Sequence, residues 1–370
     1  MRNIISIIFI FFALFIFGIS YIPETIAPTN TNVEDTATST EEILQSEPTV
    51  DKIDTPTPIK NTTKETKPTV SQKSEAVIPI IIPEVIEPTP DFEKINVFAR
   101  EATVNILCST KNSEFSPISG TGIVISADGL IITNAHVAQY FLLRDLYQKD
   151  FIECIVRTGN PAYPRYKVGL VYVSPTWIKL HKSEITSQDP LGTGEYDYAL
   201  LRIVGRIDGS PLSPLPHIPV NTSEDITTNK PVILVSYPAG FLGGLSILQG
   251  LNQASAITTI QDVFTFKENV VDVISVGGTI VSQKGSSGGA VVDGKSSLIG
   301  IISTSSNGDT TGSRDLNAIT MAYINRSIKI ESGMSLDELL SQNIGAFATL
   351  FQENTSPELT KMLTDEITKK

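Results

Sequence analysis

Cysteine, histidine and basic side chains are all scarce in this sequence. Two cysteines in 370 residues exclude a disulfide scaffold and a thiolate metal cluster. No His-Glu-x-x-His run occurs either, so neither a metal ion nor an organic cofactor is implied. Lys and Arg number 28 against 40 Asp and Glu, a formal net charge of −12, and no basic stripe is present. That balance argues against nucleic acid as a partner. Long apolar runs are also rare. The one that stands out follows Arg2, runs from Ile4 to Ile22, and meets its first acid at Glu24. At about 19 residues it lies between a long signal peptide and a membrane-spanning anchor. Ser20, with Gly18 two before it, is a candidate cleavage site. An uncleaved anchor is the preferred reading, because the run exceeds a usual signal core. In either case the positive end stays in the cytoplasm and the rest of the chain is extracytoplasmic.

Residues 23–90 are rich in Thr, Pro, Glu, Ser and Lys and poor in aromatics. Such a stretch buries too little apolar surface to offset its ordering entropy, so a disordered spacer is expected. Its one apolar patch, Ala76 to Pro83, is expected to pack as an edge on the folded part.

Chemistry concentrates in Gly285-Ser286-Ser287-Gly288-Gly289-Ala290. A Ser/Gly run by itself is more often a turn or a linker. Here apolar runs frame it, Val271 to Val281 before and Leu298 to Ile302 after, so it joins two buried strands. Serine-based acyl transfer needs a hydroxyl, a base and backbone N–H groups aimed at the oxyanion. Of the three histidines, His181 lies among Lys and Glu and His217 among prolines; both read as structural. His136 follows the apolar run Gly129 to Ile132 and is the candidate base. Asp197 opens the apolar run Tyr198 to Ile203, where an isolated carboxylate is costly unless a donor such as an imidazole N–H pairs with it.

Short β-rich runs divided by Gly and Pro turns point to an all-β sandwich or barrel. Strands are expected at 104–108, 122–126, 130–133, 151–156, 168–173, 197–203 and 231–236, with helical character at 138–147. The stretch 208–229 reads as a crossing between two halves. After Ile330, Ser335-Leu336-Asp337-Glu338 is a capping box for a helix through about Ile344, and Ser356-Pro357-Glu358 starts another. These helices are expected to pack on the barrels.

In order along the chain, the motifs TNAHV (133–137), DYALL (197–201) and GSSGGA (285–290) resemble the His, Asp and Ser motifs of chymotrypsin-like serine peptidases. The segment Gly120 to Gly129 is most similar to the bacterial HtrA-type branch. A His…Asp…Ser order excludes the subtilisin and α/β-hydrolase arrangements. The resemblance covers roughly residues 95–330. It implies two six-stranded antiparallel β-barrels with a C-terminal helical tail. The domains are then 1–22 signal or anchor, 23–90 linker, 91–207 first barrel, 208–330 second barrel and 331–370 tail. It also implies a serine endopeptidase acting on protein or peptide substrates through an acyl-enzyme. Ser287 is the nucleophile, His136 the base and Asp197 the orienting acid, with the Gly285 and Ser287 N–H groups as the oxyanion hole. Val281 falls at the base of the pocket for the side chain before the cut, and the main chain through Ser303 pairs with an extended substrate. A tail of about 40 residues is too short for the PDZ module that many HtrA-type enzymes carry. Many secreted members place Cys directly after the catalytic His, but Val137 stands there, so that disulfide is missing. Cys108 and Cys154 both lie on strand-like runs, and a disulfide and two buried thiols are the alternatives. Zymogen members use an Asp before the nucleophile to receive a new N-terminal amine; Ser286 carries no such charge. Chains beginning anywhere from about residue 75 to 95 are therefore expected to be equally active. A degenerate peptidase that only binds peptides and a stalked adhesin are the rival readings, and neither accounts for three complete catalytic motifs.

Overall fold

The computed structural model describes residues 89–369 apart from 111–116, 186–192, Phe241, Glu268, 306–309 and Thr311. The N-terminal apolar run, the linker up to residue 88 and its 76–83 patch lie outside the described residues. Among the described residues no helix is long and apolar enough to cross a membrane.

The first described element is a helix, α1 (Phe92–Ala102), where sequence reading expected only the approach to a strand. Its signals are local. Asp91 caps it by accepting from Lys94 N, and Ile95, Ala99 and Ala102 repeat at helical spacing and are buried. The first barrel follows: β1 (Thr103–Thr110), β2 (Ile118–Val124), β3 (Leu130–Thr133), β4 (Ile152–Thr158), β5 (Tyr163–Val173) and β6 (Ala199–Arg206). They close in the order β1-β2-β3-β6-β5-β4, every pair antiparallel. Closure leaves this sheet without an edge strand. Cys108 lies opposite Cys154 in the β1–β4 register, and the two form a disulfide.

Two short helices interrupt this barrel. Helix α2 (Ala135–Ala138) starts at Asn134 and continues as a 3-10 turn, Gln139–Phe141. The helical character expected at 138–147 thus begins earlier and ends sooner, in turns from Leu142 onward. Helix α3 (Pro175–His181) has Ser174 as its cap and Pro at its first position.

The second half departs from the expected six-stranded barrel. Its strands are β7 (Pro231–Ser236), β8 (Ala254–Thr259), β9 (Asp262–Phe264), β10 (Val273–Ser275), β11 (Ala290–Asp293), β12 (Leu298–Ser305) and β13 (Leu316–Thr320). They form a seven-stranded sheet, β8-β7-β11-β12-β13-β10-β9. The physical reason is a bend at Ile260–Gln261. It splits one run into β8, which pairs with β7, and β9, which pairs with β10, so one length of chain serves both edges of a curled half-barrel. A closed barrel and a half-barrel are together consistent with a chymotrypsin-like fold. A short helix, α4 (Gly244–Gln249), fills the β7–β8 connection.

Helices close the chain. Helix α5 (Met321–Ser332) follows β13 without a loop, capped by Thr320 and stopped by Gly333 in the left-handed region. The expected capping box is present in α6 (Leu336–Leu340), but that helix ends before Ile344, where a separate helix, α7 (Ile344–Asn354), begins. The last helix is α8 (Ser356–Ile367). The tail packs on the first barrel: the Phe347 and Phe351 rings lie 5.8 and 5.2 Å from Tyr172, and Thr360 Oγ1 donates to Leu142 O.

Candidate active site

The structure brings His136 and Asp197 together and seats the 285–290 loop beside the strands that lead to His136. Asn134 begins α2 directly after β3, which puts His136 on its first turn. Asp197 is 3% exposed. Its Oδ1 accepts from His136 N at 3.0 Å and its Oδ2 from His136 Nδ1 at 2.9 Å. Bidentate contact with one residue fixes the ring plane and leaves Nε2 facing away from the acid. Ser303 Oγ also donates to Asp197 Oδ2, at 2.7 Å. Sequence reading assigned Ser303 only a main-chain role and missed this bond, since the partners are 106 residues apart. The β12–β13 register shifts between Ile302 and Thr304, and such a bulge re-aims a side chain.

Burial and charge oppose each other here. Burial drives the His136 imidazole towards neutrality, but the charge and hydrogen bond of Asp197 outweigh it, and its pKa is raised above the usual histidine value. For Asp197, burial favours the neutral acid, and His136 together with the Ser303 hydroxyl holds the carboxyl below its usual range.

The 285–290 loop is fixed from below by Thr121 on β2. Thr121 N donates to Ser287 O at 2.8 Å, and Thr121 Oγ1 donates to Gly285 O at 2.7 Å and accepts from Tyr237 N at 3.0 Å. Gly288 passes so close to Thr121 O and Thr133 Oγ1 that a Cβ would collide with both, and its φ is +81°. Donor use alternates through the loop. Ser286, Gly288 and Gly289 N–H groups bond to Gln283 O, Ile302 O and Ser286 O. Among the described residues the Gly285 and Ser287 N–H groups bond to nothing, and Gly285 turns there with φ +92°. Two free donors one residue apart are what an oxyanion requires. The Ser287 side chain is partly exposed and makes no hydrogen bond among the described residues, whereas Ser286 is buried against Ser236 Oγ at 2.9 Å.

Val281 lies in the core of the second sheet, fully buried with Val232, Leu234 and Ile274. The other two histidines are elsewhere: His181 stacks on Trp177 at 4.9 Å, and His217 Nδ1 lies 3.0 Å from Leu215 O. Among the described residues no group of His, Cys, Asp and Glu could hold a metal ion.

A closed barrel, a half-barrel and a buried Asp–His pair beside a Gly-Ser-Ser-Gly-Gly loop define the class of serine peptidases. Residues 120–301 match the model of the trypsin-like peptidase domain. The chain carries a trypsin-like peptidase domain. Serine protease PepD of Mycobacterium tuberculosis is 24% identical over 235 residues, 62% of this chain. The chain spans 43% of that relative's length. Among solved structures, the serine endoprotease from Yersinia pestis matches with 20% identity and a TM-score of 0.42 over 69% of each chain. Deg5 matches with 16% identity and a TM-score of 0.44, over 66% of this chain and 98% of its own.

Proposed function

We propose that the chain is an extracytoplasmic serine endopeptidase that works through Ser287, His136 and Asp197. Ser287 Oγ attacks the peptide carbonyl, and His136 Nε2 takes its proton and returns it to the leaving amine. Asp197 holds the imidazole in the tautomer with Nδ1–H and stabilises the imidazolium. The Gly285 and Ser287 N–H groups receive the oxyanion, each such donor being worth roughly 3–4 kcal/mol. Water then cleaves the acyl-enzyme by the same steps. The observation that carries this reading is the pair of unused N–H groups flanking Ser286, in a loop tied to the strands that present His136.

The specificity reading rests on the resemblance that puts Val281 at the base of the pocket for the side chain before the cut. Val281 offers no carboxylate to a Lys or Arg side chain, and an unpaired buried cation is costly, so small or medium aliphatic residues are preferred before the cut. A peptide library tests activity and preference together. Cleavage after aliphatic residues by the wild type, and none by Ser287→Ala, is expected; cleavage dominated by Lys and Arg contradicts the pocket assignment.

The Arg2 charge and the apolar run behind it favour an N-in, C-out orientation, with the peptidase domain outside the cytoplasmic membrane. A disulfide suits that compartment. Protease shaving of intact cells should release a fragment that starts within residues 23–90. Protection until lysis overturns the orientation.

A further inference from the structure

We infer that helix α5 is a positioning device for Asp197, acting through a polar stripe, Tyr323, Ser327 and Glu331, that holds the residues on both sides of that acid. The inference rests on the reading of Asp197 as the group that orients His136. The three side chains stand four residues apart, so they share one face of the helix. That face meets the first barrel where β6 begins.

On the near side of Asp197 the stripe holds Tyr196. This residue has φ +61°, the left-handed region that an aromatic side chain disfavours. Its N–H donates to Tyr323 Oη at 3.0 Å, and the two rings lie 6.4 Å apart. The Tyr323 ring is itself wedged edge-on between Phe266, at 4.9 Å, and Tyr198, at 6.5 Å. An unfavourable backbone conformation persists only where its surroundings over-determine it, and here the hydroxyl and ring of α5 do so.

On the far side the stripe holds Tyr198. Its hydroxyl lies 2.9 Å from Ser327 Oγ and donates to Glu331 Oε2 at 2.8 Å. Glu331 Oε2 also accepts from Tyr172 Oη, at 2.8 Å. Glu331 Oε1 accepts from Ser174 Oγ at 3.0 Å and Thr176 N at 3.1 Å. Among the described residues no Lys or Arg pairs with Glu331, and its protein partners are hydroxyl and backbone donors around β5 and β6. Burial, with the neighbouring Tyr172 and the Glu331 charge adding to it, pushes the Tyr198 hydroxyl well up, so it stays a donor.

Between these two clamps Asp197 itself has its N–H on Gly194 O and its carbonyl on Asn134 Nδ2. The strand that precedes α5 is β13, which pairs with β12, the source of Ser303. One continuous unit of the second half therefore touches the carboxylate through Ser303 and its two chain neighbours through α5. A helix that merely covered the barrel needs apolar contacts, not a hydrogen-bonded partner for each residue next to the acid.

The test compares Tyr323→Phe and Glu331→Gln with the wild type. Tyr323→Phe keeps the ring and deletes the acceptor for Tyr196 N–H. Fluorophosphonate inactivation rates are normalised to the folded fraction by circular dichroism and followed against pH. The account predicts a roughly tenfold to hundredfold slower rate and an acid limb moved to lower pH, because a displaced Asp197 raises the His136 pKa less. The His136 Nδ1 proton resonance, measured in the Ser287→Ala background, should move upfield or broaden in both variants. If Tyr323→Phe does not fold, Glu331→Gln alone decides. Unchanged limb and resonance in folded variants, with only a lower melting temperature, overturn the inference and leave the stripe as packing. Asp197→Asn is run alongside. If it keeps the wild-type rate and limb, the orienting role itself has failed; if it loses them while the α5 variants do not, only the role of α5 falls.

Discussion

An aspartate that is 3% exposed has lost nearly all its water, so Asp197 stays ionised only through the donors around it. Two of those come from His136 and one from Ser303. The consequence is a pH signature. On the proposed mechanism His136 must be neutral to accept the Ser287 proton, and its pKa is raised above the ordinary imidazole value of about 6.5. The acid limb of kcat/KM should therefore have its midpoint above about 6.5. Asp197→Asn should move it down and lower kcat by roughly four orders of magnitude. A wild-type limb below the ordinary value contradicts the pairing. Each partner of this pair was legible as a residue type next to an apolar strand. Ser303 Oγ was not, because a bulge aims it and bulges leave no mark in hydrophobic patterning. Thr121 was missed as well. It stood just ahead of the strand expected at 122–126, yet its side chain and backbone bond to Gly285, Ser287 and Tyr237.

At the level of elements, the strands of the first barrel were legible and the helix ahead of them was not. Apolar β-branched runs gave β3, β6 and β7 to within a residue or two at their starts. Helix α1 went unread although Asp91 and the Ile95, Ala99, Ala102 spacing were present, because the first strand follows it with no break. Its presence narrows the expected tolerance of the N-terminus. Ser286 pairs with neutral Ser236, so no charge waits for a new amine and no activating cut is needed. Chains beginning between about residues 75 and 91 should then be equally active. A chain beginning at residue 96 loses the Asp91 cap, worth about 1 kcal/mol, and the burial of Ile95, worth about 2 kcal/mol. Urea unfolding should place it roughly 3 kcal/mol below a chain starting at 89. Equal midpoints for the two show that α1 is dispensable. Activity that appears only after one defined cut and vanishes when the new amine is acetylated overturns the no-zymogen argument.

Over the whole molecule, the two halves are held by the chain ends crossing between them. Helix α1, at the start, meets β7 and β11 of the second sheet, while α7 and α8, at the end, lie on the first barrel. The disulfide closes a loop of 46 residues within the first barrel, worth about 4 kcal/mol on chain-entropy grounds. The sequence left that bridge open because pairing depends on the β1–β4 register, which no local pattern encodes. The six-stranded second barrel was expected by resemblance, and the bend at Ile260–Gln261 that makes it a seven-stranded half-barrel is a tertiary choice. The proposed mechanism turns on one hydroxyl, that of Ser287. Treating the folded protein with a fluorophosphonate and mapping the adduct by peptide mass spectrometry tests that most directly. The account predicts a single stoichiometric adduct on Ser287, absent in Ser287→Ala and formed far more slowly in His136→Ala. An adduct on another residue, or none on the folded wild type, would contradict it.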